Sequence, residues 1–345
     1  MVNTIMQVVN SSLIAGKRVL LRYDIDVALE CKVQSFDYAQ DKSVKCKVKE
    51  DFKLRAGLAT LRLCLDNASE VILIGHVGRP GGKVVAQLSV EPIRQWFFEH
   101  GFSADLDSQK LVILENLRFD PREEAADIEY AKELANKGNF FVNEAFSSYR
   151  PAVSTTVLPS LFPQRVAGLR FAKEVNKLTE VLQNPKKPFI AIMGGAKVKD
   201  KLPVIQALAK KADAVLVGGK LVAEIKEQNI SLSGNVMVGK LSEDGFDISA
   251  DTTSAWAGLI SKAAMIVWNG PVGKFEDPQC NQTEKVAKLI LNSGAEVVIG
   301  GGDSVAALDQ AGLLEEAEKS AFVSVGGGAM LKFLSDGTLP TIQAL

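Results

Sequence analysis

Short apolar runs recur along the chain, each closed by glycine or a polar cluster and followed by a longer amphipathic stretch. They include RVLLR (Arg18 to Arg22), VILI (Val71 to Ile74), LVIL (Leu111 to Leu114), FIAIM (Phe189 to Met193) and AVLV (Ala214 to Val217). MIVW (Met265 to Trp268), VVI (Val297 to Ile299) and FVS (Phe322 to Ser324) continue the series. Runs without polar alternation suit parallel strands that helices cover on both faces. Helical patterns lie between them over Lys53 to Leu65, Asp200 to Lys211, Thr283 to Leu291 and Ser304 to Glu315. Strand and helix alternating on this scale predict an α/β protein with parallel sheets.

The rhythm falls into two halves. A helical pattern from Arg170 to Leu182 leads into the proline-flanked NPKKP, after which the series restarts. That helix is the candidate hinge. Leu29 to Asp51 breaks the rhythm, alternating apolar and polar residues around SFDYAQDKS, and reads as a long β-hairpin or a flexible insertion.

In open parallel sheets, ligands bind where strands end and the chain turns into a helix. The second half places a glycine cluster or sharp turn after most of its strands: GGAK, GGK, NGPVGKFE, GGGDS and GGGA. Glycine lets backbone N–H groups approach an anion, and the following helix adds the positive end of its dipole. Five such turns at one sheet edge point to an extended polyphosphate. Neither GGAKVKDK nor GGGDSVAAL has the Walker A spacing, and no GxGxxG is followed by an acidic residue at the dinucleotide-binding distance. Lys197 and Lys201 are expected on one face at the start of a helix, as phosphate contacts rather than solvated charges. Asp303, after three glycines, is a candidate N-cap or a ligand for Mg²⁺ bridging phosphates, the nucleotide context favouring the metal.

The first half contributes its own strand-end clusters: RYDIDVA, GHVGRPGGK, ENLRFD and NEAFSSYR. His76, Arg79 and Arg118 together would form a pocket for a phosphorylated carboxylic acid, because guanidinium groups grip both anions in two-pronged fashion. The other histidine, His100, reads as a helix-end residue.

Length and composition agree with this picture. At 345 residues the chain is too long for one ordinary core, and 47% hydrophobic with 23% charged residues is the balance of a soluble globular protein. A net charge of −1 argues against nucleic acid or an anionic membrane as partner and leaves small molecules. Cys31, Cys46, Cys64 and Cys280 have no CxxC spacing and read as reduced thiols. With no signal peptide and no apolar run long enough to span a membrane, a cytoplasmic, monomeric enzyme is the expectation.

These strings, in this order, resemble the phosphoglycerate kinase family along nearly the whole chain. KRVLLRYDIDVAL is similar to its opening strand with DFNVP, GHVGRPGGK to SHLGRP, NEAF to NDAF, and ENLRF is intact. GGAKVKDK, WNGPVGKFE, GGGDS and GGGA resemble the nucleotide domain, and LPTIQAL its closing LPG-x-x-AL. The resemblance implies two doubly wound, Rossmann-like domains joined by a hinge helix. Residues 1–168, with 334–345 crossing back, would bind phosphoglycerate, and residues 169–333 the nucleotide. Asp24, Asp26, His76, Arg79, Arg118 and Arg150 would bind the acid substrate. Gly194, Gly195, Lys201, Gly218, Gly219, Asn269, Glu276, Gly301, Gly302, Asp303 and Ser304 would bind the nucleotide, with Mg²⁺ on Asp303. Lys53, Lys197 and Lys201 would be catalytic.

Several departures bear on activity. Lys53 stands where the family has arginine, and lysine lacks the planar fork. Asp26 replaces an asparagine. The family's HRAH is reduced to Tyr149, Arg150, Pro151, Ala152 and Val153, and GGGAS has become GGGAM after Val325. The stretch from Gly219 to Trp268 is short and lacks a recognisable LP-x-D strand. The resemblance therefore implies phosphoryl transfer between 1,3-bisphosphoglycerate or 3-phosphoglycerate and ADP or ATP, with a catalytically impaired nucleotide-binding relative as the alternative.

Overall fold

A computed structural model describes residues 6–33 and 44–345. The chain forms two compact units, Met1–Val175 with Leu339–Leu345, and Asn176–Thr338. It passes from the first to the second inside the helix Leu169–Gln183.

The first unit is built on five parallel strands, β1 (Arg18–Arg22), β4 (Glu70–Ile74), β5 (Leu111–Ile113), β6 (Phe140–Asn143) and β7 (Arg165–Ala167), in the order β5-β4-β1-β6-β7. Successive residues of β1 serve opposite faces, as the period of a strand requires. Val19 and Leu21 pack with Leu61, Cys64 and Phe97 on one side. Leu20 packs with Ile72, Phe141 and Leu158 on the other. Burial on both faces explains why these strands read as unbroken apolar runs. Thr341, in the short helix Pro340–Gln343, is buried, and Leu345 packs against the Leu20 cluster.

Six parallel strands make the second sheet: β8 (Phe189–Met193), β9 (Ala214–Val217), β10 (Val236–Val238), β11 (Met265–Asn269), β12 (Glu296–Gly300) and β13 (Phe322–Val323). Their order is β10-β9-β8-β11-β12-β13, the doubly wound arrangement in which strand order reverses beside the first strand. The first sheet reverses the same way, between β1 and β6. Both are the expected α/β sheets, and three strands beyond the eight apolar runs, β6, β7 and β10, complete them.

Two helical patterns are broken rather than continuous. Lys53 to Leu65 divides at Gly57 into Phe52–Ala56 and Leu58–Asn67. Ser304 to Glu315 divides into Gly302–Gln310 and Leu314–Ser320 around Gly312, which has φ +68°.

The hairpin alternative holds for the described part of Leu29 to Asp51. β2 (Leu29–Val33) and β3 (Val44–Val48) pair antiparallel, and the polar SFDYAQDKS lies outside the described residues. Here the cysteine reading needs correction. The register sets Cys31 directly opposite Cys46, and the two are joined in a disulfide; only Cys64 and Cys280 are free, and both are buried. Sequence separation hid a pair that strand pairing makes adjacent.

Candidate active site

At the carboxyl edge of the first sheet, β1 runs into Asp24 and Asp26, β4 into His76, β5 into Arg118, and β6 into Glu144 to Ser147. Gly78 ties two of these turns together: its N–H donates to Asp26 Oδ1 at 2.9 Å and its carbonyl accepts from Arg118 Nη1 at 2.8 Å. Arg118 also pairs with Glu124 at 3.3 Å. Asp26 Oδ2 lies 3.6 Å from His76 Nε2. Burial opposes ionisation of Asp26, but bonding to His76 and Gly78 and the charge of Lys53 together hold its carboxyl well below the usual carboxylate range.

The side of His76 away from Asp26 fixes its chemistry. Arg22, the last residue of β1, is buried and sets Nη2 2.7 Å from His76 Nδ1. Guanidinium has only donors, so Nδ1 must accept and the ring proton sits on Nε2, facing Asp26. Burial likewise pushes the His76 pKa down, favouring the neutral ring. Arg22 Nε donates to Ser154 Oγ at 2.9 Å, and Ser154 donates on to Glu123 at 2.6 Å. A buried chain of bonds thus runs from Glu123 to His76.

Lys53 lies beside the aspartates. Its ammonium donates to the Asp26 carbonyl at 2.9 Å and to Ser147 Oγ at 3.3 Å, and stands 3.7 Å from Asp24 Oδ1. Arg79 and Arg150 are exposed, and their side chains make no hydrogen bond or ion pair among the described residues. His76, Arg118, Asp24, Asp26 and Lys53 are therefore interlinked, while Arg79 and Arg150 remain unengaged at the surface.

In the second unit the turns after β8 and β11 lock together. Gly194 N–H donates to the Asn269 carbonyl at 2.9 Å and Gly195 N–H to that of Pro271 at 2.6 Å, while Gly219 N–H donates to Val272 at 2.8 Å. Gly218 N–H bonds the end of β8 at Met193. Lys201 reaches back from its helix to donate to the Gly194 carbonyl. Burial brings its pKa down to about 8, with the Asp303 charge acting the other way. Asn269 Nδ2 donates to the Gly300 carbonyl at 2.8 Å, and Ser304 Oγ joins Gly270 N–H to the same turn. Glu276 is exposed on the turn after β11.

Lys197 corrects the sequence reading, and of the two readings of Asp303 the N-cap is excluded. Lys197 does not share a helix face with Lys201; it is the left-handed residue (φ +69°) before the helix Val198–Ala209. The start of that helix is already occupied, since Glu224 accepts from the N–H groups of Lys197 and Val198 at 3.1 and 2.7 Å. Asp303 is not an N-cap: Gly301 holds that position with φ +107°, and no side chain caps the helix Gly302–Gln310. The exposed Asp303 carboxylate has no hydrogen-bond or ion-pair partner among the described residues, and the N–H groups at that helix start have no side-chain acceptor.

The phosphoglycerate kinase family model matches residues 9–238 and 222–337. The phosphoglycerate kinase of Herpetosiphon aurantiacus is 34% identical over an alignment that covers 96% of each chain, and that of Chloroflexus aggregans is 33% identical at the same coverage. The solved phosphoglycerate kinase of Coxiella burnetii superposes with a TM-score of 0.78 at 26% identity, covering 98% of each chain. The chain belongs to the phosphoglycerate kinase family. It is accordingly a phosphotransferase, and the doubly wound sheets are those of this family.

Within a phosphoglycerate kinase framework, the residues that sequence reasoning passed over are the buried ones. Arg22 lay inside the quoted RYDIDVA, but the last residue of a strand reads as a strand position. Glu123 sits in PREE, which reads as a solvated helix start, yet it is buried against Ser154. Glu224 has no motif at all. The missing LP-x-D pattern did not mean a missing strand, because β10 is present.

Proposed function

We propose that this chain catalyses phosphoryl transfer between 1,3-bisphosphoglycerate and ADP, or 3-phosphoglycerate and ATP in reverse, as a monomeric cytoplasmic enzyme of glycolysis. The carrying observation is the linked set Lys53, Asp24, Asp26, His76 and Arg118 at the carboxyl edge of the first sheet. It has a counterpart around Lys201 and Asp303 at the same edge of the second. Arg118 and the neutral His76 Nε2–H would orient the acid substrate, with Arg79 and Arg150 turning inward as further cations. Gly194, Gly195, Gly218, Gly219, Asn269, Glu276, Gly301, Gly302 and Ser304 would line the nucleotide, the open start of the helix Gly302–Gln310 receiving phosphate.

An acyl phosphate is already a good donor, so the chemistry needs no general base. It needs cancellation of charge on the transferring oxygens and exclusion of water, which domain closure about the helix Leu169–Gln183 would provide. Lys53 and Lys201 would supply positive charge, assisted by Lys197, and an arriving phosphate would raise the Lys201 pKa and keep its ammonium charged. No group of three or more potential metal ligands exists among the described residues, and a lone exposed carboxylate beside a lysine fits an ion that arrives with the nucleotide. Asp303 would hold Mg²⁺, which supplies neutralisation of phosphate charge when bound.

A second reading, a nucleotide-binding relative with impaired transfer, has one observation in its favour. The single ammonium of Lys53 is already shared among Asp26, Ser147 and Asp24. A coupled assay of ATP formation separates the two. The wild type should turn over, with Lys201→Ala slower by about 100-fold or more; a wild-type rate equal to that variant's would leave only the second reading. Small molecules are the partners this function needs, and neither nucleic acid nor membrane enters it. No helix among the described residues is long and apolar enough to cross a membrane. The Cys31–Cys46 bridge removes two thiols from the case for a reducing compartment, so the cytoplasmic placement rests on the reaction.

A further inference from the structure

The helix Leu169–Gln183 begins in an unusual way. A helix start leaves four backbone N–H groups without partners, and the residue before it normally caps one with its own side chain. Here that residue is Gly168, which has no side chain to offer. Its N–H donates to the Asn143 carbonyl at 2.8 Å. Leu169 N–H donates to Thr60 Oγ1 at 2.9 Å, and Arg170 and Phe171 N–H donate to Glu144 Oε1 and Oε2 at 3.0 and 3.1 Å. Thr60 and Glu144 are themselves bonded at 2.6 Å. All four groups are satisfied from elsewhere in the first unit, two of them by the oxygens of one buried carboxyl group. Gly168 is what makes room for it: a Cβ there would lie 1.9 Å from Glu144 Oε2.

Glu144 is also tied to the candidate substrate site. Its N–H donates to the Arg22 carbonyl at 2.8 Å. Three residues on, Ser147 bonds Asp24 through its N–H at 3.4 Å and accepts from Lys53 through its hydroxyl. In the second half of the same helix, Lys177 pairs with Glu296 at the base of β12, and Lys186, just past the helix, joins the same carboxylate at 2.9 Å. The helix is thus held at its start by the first unit and along its second half by the second.

We propose that Thr60 and Glu144 form a positioning clamp for phosphoryl transfer, fixing the direction in which this helix leaves the first unit. Neither touches the groups assigned to substrate, and acid binding uses only first-unit residues. A loosened clamp should therefore spare ground-state binding and slow transfer, which also requires the nucleotide carried beyond the helix. This inference rests on the proposed reaction and deepens it by adding Thr60, which no motif contains, and a positioning role for Glu144 of NEAF.

Thr60→Val keeps the shape and removes the hydroxyl, and Thr60→Ser restores it. The valine variant should lose about tenfold in kcat, the rate equivalent of one buried hydrogen bond, with KM for 3-phosphoglycerate within about twofold and activity restored by serine. Gly168→Ala, which must displace the Glu144 carboxylate, should show the same split. Hydrogen exchange at residues 169–171 should quicken in the valine and alanine variants and not in the serine variant. Unchanged kcat in the valine variant while exchange quickens would overturn the clamp, as would parallel loss of kcat and KM with no rescue by serine. Absence of transfer in the wild type would instead overturn the reaction itself.

Discussion

Arg22 and Glu144 are buried ionisable residues, and each shows what burial does to chemistry one residue at a time. Arg22 decides the tautomer of His76 because it can only donate. Glu144 is pushed up to about 8 by burial, although Thr60 and two backbone N–H groups pull the other way. A carboxyl whose folded pKa exceeds its ordinary value of 4.5 holds its proton in the folded state where the unfolded chain has lost it. Its stabilising contribution is complete below the unfolded value and lost as pH rises through about 8. Glu144→Gln stays neutral throughout, so the stability of the variant relative to wild type should rise from pH 5 to pH 9 in urea titrations. A difference that is flat or falls over that interval would contradict the assignment. None of this is legible in NEAF, where Glu144 reads as one more strand-end acid. Burial of an ionisable group depends on what packs over it, and here that is a threonine 84 residues earlier in the chain and the start of a later helix.

Elements were more legible where hydrophobic period alone decides them. β1, β8 and β9 run as their apolar strings do, because both faces of each strand are covered and no polar residue interrupts the run. The broken helices were less so: amphipathic spacing continues through Gly57 and Gly312, and only the backbone at those residues turns the chain. Lys197 is the same kind of case, its left-handed conformation lifting it off the helix face that its spacing suggested. In the hairpin, alternation correctly indicated strands but could not give the register, and register alone sets Cys31 opposite Cys46. Thiol labelling of unfolded, unreduced protein is expected to find the two thiols of Cys64 and Cys280, and labelling after reduction all four cysteines. Four thiols before reduction would contradict the pairing.

At the scale of the whole molecule, one architectural rule is applied twice. Each sheet reverses its strand order beside its first strand, at β1 and β6 in the first unit and at β8 and β11 in the second. Ligands of such sheets gather at that reversal on the carboxyl edge, and the candidate residues lie there in both. The glycine and arginine motifs were therefore readable as a pair of sites, since they mark strand ends in sequence. Their supports came from Arg22, Glu123, Thr60 and Glu224, which read as ordinary strand and helix positions because they bond to other parts of the protein rather than to ligand.

If the two sites are separate half-sites of one reaction, they should be separable by mutation. Calorimetric titration of wild type, Arg118→Ala and Lys201→Ala with 3-phosphoglycerate and with Mg-ADP tests this most directly. The wild type should bind both; Arg118→Ala should lose about tenfold or more in affinity for 3-phosphoglycerate only, and Lys201→Ala the same for Mg-ADP only. Failure of the wild type to bind either ligand, or loss of both ligands from a single substitution in a folded variant, would contradict the account.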